Sequence, residues 1–158
     1  MSKVIIIMGS KSDTEHSQKI SSIIKRMGTE CILRIASAHK VPLKVLKIIE
    51  QYEKEKVIFI TVAGRSNALS GFVDANTFRP VITCPPYSDK FGGNDIYSSI
   101  RMPSGVCPML VLEPEEAGLA ALKILSLNDK ELSKKIQAYQ KTKKNEIEKD
   151  DHKLQKMR

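Results

Sequence analysis

The sequence has only three cysteines, Cys31, Cys84 and Cys107, and their spacing suits neither a metal site nor a disulfide framework. Cys31 and Cys84 fall in apolar, strand-like contexts, where a free thiol packs as a small hydrophobe. Long apolar runs are also missing. The longest, Val4–Met8 and Val57–Ala63, are far shorter than the roughly 20 residues a membrane helix needs. No basic segment, apolar stretch and cleavage site follow one another at the N-terminus, so the expectation is a cytoplasmic protein with no membrane partner. Both glycine spacings that mark a Walker loop or a dinucleotide fingerprint are absent. Aromatics are scarce where positive charge gathers. Residues 129–158 hold ten Lys/Arg against six Asp/Glu, half of the formal excess of +8, yet Tyr139 is their only aromatic. Nucleic-acid binding would call for basic residues interleaved with stacking rings, so the tail reads as a solvated helix face.

What is present suits one soluble domain with a real core: 158 residues, 41% hydrophobic and 28% charged. Short β-branched runs alternate with stretches of helical period. Lys3–Met8 is a continuous apolar strand signal of the kind found when both sheet faces are covered. Ser12 followed by Glu15 predicts a capping box, with Ile20, Ile23, Ile24 and Met27 on the buried face of the helix and Gly28 at its end. Further strands are predicted at Cys31–Ala36, Val57–Ala63, Val81–Cys84 and Met109–Leu112. Helices are predicted from Pro42 to about Tyr52, burying Leu46 and Ile49, and over Glu115–Leu127. This alternation implies parallel strands with helices on both faces: an α/β domain over residues 1–128, then a helical extension over 129–158 that frays at its end.

Sheets of this class place ligands at the carboxyl ends of their strands, and three unusual loops lie there. The first, Gly9 to Asp13, offers Ser10 and Ser12 as hydroxyl donors at a helix N-terminus, a good setting for phosphate, while the carboxylate of Asp13 suits ribose hydroxyls. Ser12 and Asp13 serve equally well as simple caps, and both readings stand at this point. The second loop, Ser37-Ala38-His39-Lys40, sets a side chain that titrates near neutrality beside a cation. By contrast, His16 lies within a predicted helix and His152 in the polar tail, poor places for catalysis. The third loop, from Gly64 to Gly71, lets a ligand approach the backbone and carries Arg65, which can grip a carboxylate or phosphate with two parallel bonds. Pro85-Pro86 and Met102-Pro103-Ser104-Gly105 read as stiff turns that shape a pocket wall.

Met8 to Asp13, then Ser37 to Lys40, then Ala63 to Gly71, in this order and at these separations, resemble the catalytic subunit family of phosphoribosylaminoimidazole carboxylase over roughly residues 3–128. The resemblance implies a flavodoxin-like three-layer sandwich assembled into tetramers or octamers, with sites near subunit contacts. Its substrate would be a nucleotide, with no cofactor and no metal. In the commoner bacterial branch the second loop ends in arginine and the third carries its own histidine. Here Lys40 and Ala68 stand in those places. Gly64-Arg65-Ser66-Asn67, Cys84-Pro85-Pro86 and Ser98 to Gly105 look like the other branch, which includes the carboxylase half of the animal bifunctional enzyme and uses carbon dioxide directly. By that resemblance, Ser10, Ser12, Asp13, Ser37, Ala38, Lys40, Gly64, Arg65, Ser66, Asn67 and Leu69 bind the substrate. His39 is the general base and acid, with Lys40 beside it. The rival readings are the mutase reaction on the same fold and, in another class, a non-catalytic nucleotide-binding adaptor with a recruiting tail.

Overall fold

The computed structural model describes residues 2–157. Five strands, β1 (Lys3–Met8), β2 (Glu30–Ile35), β3 (Val57–Val62), β4 (Val81–Thr83) and β5 (Met109–Leu110), form one sheet in the order β2-β1-β3-β4-β5. Every neighbouring pair is parallel, with Ile5 beside Ile32 on one side and Phe59 on the other. This is the flavodoxin-like order, and its strand sequence reverses between β1 and β3. Six helices follow: α1 (Thr14–Arg26), α2 (Pro42–Tyr52), α3 (Ala68–Ala75), α4 (Tyr97–Ile100), α5 (Pro114–Ser126) and α6 (Lys130–Lys156). Among the described residues, no helix is long and apolar enough to cross a membrane.

The period-2 geometry of a strand sorts the apolar run of β1 onto two faces. Ile5 and Ile7, with Val57 and Phe59 of β3, pack against Val45, Ile48 and Ile49 of α2 and Leu69 and Val73 of α3. Val4 and Ile6, with Ile58 and Ile60, are equally buried on the opposite face, where α1 lies against β1 and β2 and contributes Ile20, Ile23 and Ile24. Helix α5 crosses close to α1 at Gly118, where a methyl group would run into the Ile23 side chain and the Ile20 carbonyl.

Local details depart from the sequence reading in several places. The capping box is formed not by Ser12 and Glu15 but two residues earlier, by Ser10 and Asp13, because residues 11–13 make a tight 3-10 turn before α1 begins. Leu46 is only half-buried, and Val45 and Ile48 carry that face of α2. The Gly64–Gly71 stretch is not all loop, since α3 starts at Ala68 with the Asn67 side chain accepting from the Ser70 N–H at 3.2 Å. The signal was an N-cap asparagine followed by Leu69, Phe72 and Val73 on one helical face.

The chain divides into two compact units, Met1–Ala121 and Leu122–Arg158, with the division inside α5. In the second unit α6 is helical through Lys156. Ion pairs one turn apart, Lys143 with Glu146 and Lys153 with Asp150, both at 3.1 Å, line its exposed surface.

Candidate active site

The loops after β1, β2 and β3 meet above the switch in strand order, where they line a cleft of about 510 Å³. Close contact between the first and third loops depends on Gly9. Its N–H donates to the Val62 carbonyl at 2.8 Å, and a Cβ there would stand 3.3 Å from that of Ala63. Ser10, Ser12 and Asp13 reach the cleft from the first loop, and Ser37, Ala38, His39 and Lys40 from the second. Gly64, Arg65, Ser66 and Leu69 reach it from the third loop and the start of α3.

Asp13 is shared between structure and cleft. Its Oδ2 accepts from the Ser10 N–H at 2.9 Å and the Ser10 hydroxyl at 3.1 Å, while Oδ1 has no partner among the described residues. Ser10 and Ser12 hydroxyls lie 2.5 Å apart, presenting two polar groups side by side. The second loop is a turn in which the Ser37 carbonyl accepts from the Val41 N–H at 2.9 Å and the Ser37 hydroxyl from the Lys40 N–H at 3.3 Å. That turn leaves the side chains of His39 and Lys40 exposed on the cleft. Both belong to the same rim as the phosphate-suited hydroxyls of the first loop.

Asn67 is the exception among the expected substrate contacts. It is buried behind the wall, with 3% of its surface exposed, and it does not line the cleft. Its Nδ2 donates to the Thr83 hydroxyl at 3.0 Å and the Ser99 hydroxyl at 2.9 Å, and its oxygen caps α3. Its side-chain amide hydrogens are therefore already committed within the fold. Conversely, Tyr87, Ser88 and Lys90 line the cleft beside the expected Pro86, whereas Met102 to Gly105, expected to shape a wall with the proline pair, line neither this cleft nor the cavity that adjoins it. Tyr87, Ser88 and Lys90 follow β4, and the same carboxyl-end rule that located the first three loops applies to this fourth one.

The charge of the cleft follows from these residues. Lys40, Arg65 and Lys90 face it against the single carboxylate of Asp13. Such a surface attracts an anionic ligand. Among the described residues, no group of three or more His, Cys, Asp or Glu is placed to hold a metal ion.

A second cavity of about 490 Å³ adjoins the first and shares Ala63, Gly64, Pro86, Tyr87 and Ser88 with it. His16 sits on its wall, half-buried, with Nε2 3.3 Å from the Cys84 sulfur. Burial lowers the His16 pKa and pushes the Cys84 thiol up to about 12. Cys84 is therefore a packed, protonated thiol that donates weakly to the Leu112 carbonyl at 3.5 Å.

Comparison with known proteins decides the family. A model of the AIR carboxylase family matches residues 3–146. The chain belongs to the AIR carboxylase family. It is 62% identical over 152 residues to phosphoribosylaminoimidazole carboxylase of Archaeoglobus fulgidus, covering 96% of this chain and 84% of that protein. It is 50% identical over 153 residues to the enzyme of the same name from Treponema denticola, covering 96% of each. The human bifunctional phosphoribosylaminoimidazole carboxylase/succinocarboxamide synthetase is 40% identical over 138 residues, which are 86% of this chain and 32% of that protein. The crystal structure of Treponema denticola PurE superimposes with a TM-score of 0.95 at 49% identity, covering 98% of this chain and 99% of the other. This AIR carboxylase family member is thus an enzyme of purine biosynthesis with the flavodoxin-like fold of its relatives.

Proposed function

We propose that the protein carboxylates 5-aminoimidazole ribonucleotide directly with carbon dioxide, giving 4-carboxy-5-aminoimidazole ribonucleotide. The observation that carries this reading is the shared cleft. It gathers His39, a cationic rim and the hydroxyls of the first loop within one space of about 510 Å³. The phosphate fits Ser10 and Ser12, and the free oxygen of Asp13 fits a ribose hydroxyl.

The aminoimidazole ring is an enamine, so the carbon beside its amino-bearing carbon is nucleophilic, and carbon dioxide is already electrophilic. The ring carbon attacks, a carbon–carbon bond forms, and the electron pair of one C=O bond moves onto oxygen. The ring carbon still holds its hydrogen and the amino nitrogen has become an iminium. Neutral His39 then takes that hydrogen as a proton, and the electrons of the broken C–H bond restore the aromatic ring. In reverse His39 returns the proton. A well-placed base contributes roughly a hundred- to ten-thousand-fold. Holding both reactants in attack geometry adds to this, up to about 7–11 kcal/mol in ideal systems. Lys40, or Arg65 with the N–H groups of its loop, stabilises the new carboxylate.

The other reaction on this fold moves a carboxylate already attached to the substrate nitrogen. Lys40 at the end of the second loop and Ala68 at the start of α3 support direct carboxylation through their likeness to the branch that uses carbon dioxide, and His39 is the one imidazole among the described lining residues. Assembly of several subunits belongs to the same reading. Tyr87, Phe91 and Tyr97 are large, mostly exposed aromatics, of which Tyr87 lines the cleft and its neighbouring cavity while Phe91 and Tyr97 follow the lining residues Lys90 and Ile96 in sequence. The test is to supply each substrate separately without ATP: aminoimidazole ribonucleotide with a carbon dioxide source, or the preformed N-carboxylated compound. Rapid turnover of the first is expected. Turnover of the second alone would establish the mutase instead.

A further inference from the structure

Arg65 is the only non-glycine residue with positive φ among those described, at 59°. Left-handed backbone is unfavourable for a side chain of that size and persists where the surroundings impose it. Here both backbone groups of Arg65 are held by one short segment outside the cleft. The Arg65 N–H donates to Asp95 Oδ2 at 3.3 Å, and its carbonyl accepts from the Ser98 hydroxyl at 2.9 Å. That hydroxyl has one proton, shared between the carbonyls of Arg65 and Asp95, the latter at 2.7 Å, and it accepts from the Asn67 N–H at 2.9 Å. Asn67 in turn ties the segment to β4 through Thr83 and to α4 through Ser99. Neither Asp95 nor Ser98 lines the candidate cleft.

We infer that Asp95 and Ser98 are positioning residues for the carboxylation: they clamp Arg65 in its left-handed conformation and so fix its side chain where the new carboxylate forms. A loop free to relax would let Arg65 return to an ordinary backbone conformation, and the cation would leave its position while the nucleotide's phosphate and ribose contacts stayed intact. The loss then falls on turnover rather than on nucleotide affinity. The clamp needs an oxygen acceptor at position 95 rather than a negative charge, which separates it from a general electrostatic effect. This inference rests on the reading of Arg65 as a holder of the carboxylate.

The experiment uses the full chain and the variants Ser98→Ala, Asp95→Ala, Asp95→Asn, Arg65→Ala and the double variant Arg65→Ala/Ser98→Ala. Turnover is measured at saturating aminoimidazole ribonucleotide with a carbon dioxide source, nucleotide affinity by calorimetry, and Arg65 φ from a crystal structure of Ser98→Ala. Both single alanine variants of the clamp are expected to lose at least tenfold in kcat with nucleotide Kd changed less than twofold. Asp95→Asn should recover to within threefold of the parent. Adding Ser98→Ala to Arg65→Ala should cause no further loss, since a residue acting through another has no effect once that other is gone. In the crystal, Arg65 should leave the left-handed region. Parental kcat in the alanine variants, an Asn variant as poor as the Ala variant, an additive double variant, or an unchanged Arg65 φ would each overturn the clamp. An unmutated chain that fails to carboxylate refutes the proposed reaction instead, and the φ measurement still judges the clamp.

Discussion

Replacing Gly118 by alanine sets two well-measured effects against each other. Gly118 lies within α5, where intrinsic propensity alone favours alanine by about 1 kcal/mol. The packing opposes it. A Cβ at 118 would overlap the Ile23 side chain and stand 2.9 Å from the Ile20 carbonyl oxygen, closer than real Cβ atoms come. Ile20 and Ile23 are 0% and 1% exposed, so neither has open space to retreat into. Overpacking a rigid core costs about 1–3 kcal/mol, and overlap with backbone belongs at the upper end. The net expectation is a loss of about 2 kcal/mol, or a Tm lower by roughly 4–8 °C for a chain of this size. Gly71→Ala is the internal control, because a Cβ there would meet the Met102 sulfur at 3.0 Å, part of a flexible side chain that can turn aside. That variant should stay within about 1 kcal/mol of the parent. Thermal unfolding by circular dichroism, with urea midpoints as a second measure, reads both. A Gly118→Ala protein as stable as the parent would refute the close α1–α5 crossing.

The remaining expectations concern the cleft and its neighbouring cavity. His39→Asn should retain nucleotide binding by calorimetry while turnover falls by about a hundredfold or more; near-normal turnover would remove His39 from the mechanism. Asp13→Ala should weaken nucleotide binding at least tenfold in titration, and an unchanged Kd would refute the ribose contact. Burial holds the folded-state pKa of His16 below its ordinary 6.5, with Lys19 reinforcing the effect against the opposing contact with Cys84 and the charges of Asp13 and Glu113. The unfolded chain therefore binds more protons there. Its contribution to stability is complete above about pH 6.5, declines as pH falls from that value, and levels off below the folded pKa. Urea unfolding between pH 5 and pH 7.5 should show a shallower acid decline in His16→Gln than in the parent (both limits are roughly one to two pH units either side of the ordinary histidine value). Cys84, pushed up to about 12, has a thiolate fraction of about one in ten thousand at pH 8. Mass spectrometry after brief maleimide treatment should find it unlabelled until the protein is unfolded, and rapid native labelling would contradict its burial.

The strands and three of the site loops were legible because their signals are local and repeated. Ile5, Ile6 and Ile7 cannot alternate between core and water, so Lys3–Met8 had to be a strand covered on both faces. Once parallel strands were inferred, the carboxyl-end rule placed His39, Asp13 and Arg65 on one edge without knowledge of their distances. The cap and the later part of the third loop were less legible. Only the Ser12-x-x-Glu15 spacing read as an N-terminal box, and the box forms at Ser10 and Asp13 instead because a 3-10 turn over residues 11–13 precedes α1. Asn67 looked like a ligand contact because a small polar residue in a glycine-serine loop carries no mark of burial. Its partners, Thr83 and Ser99, lie 16 and 32 residues away in sequence, and only the folded chain brings them together.

That difference sorts the loop residues by what their polar atoms have left to give. A group whose hydrogens are already committed inside the fold cannot also hold a substrate without breaking a bond that burial makes costly. Asn67 has both amide hydrogens committed, Asp13 has one oxygen committed and one open, and the side chains of His39 and Lys40 stand exposed on the cleft. In the third loop the backbone of Arg65 and the side chain of Asn67 are committed to the segment behind it, which leaves the Arg65 side chain to face the cleft. The first two loops are therefore suited to gripping the nucleotide and moving its proton, while the third is suited to being held still. In the proposed reaction a rigid third loop matters because the carboxylate charge develops only as the carbon–carbon bond forms. Dipoles and cations fixed beforehand need not reorganise at that moment, and a site of that kind lowers the barrier by stabilising what the transition state has and the ground state lacks.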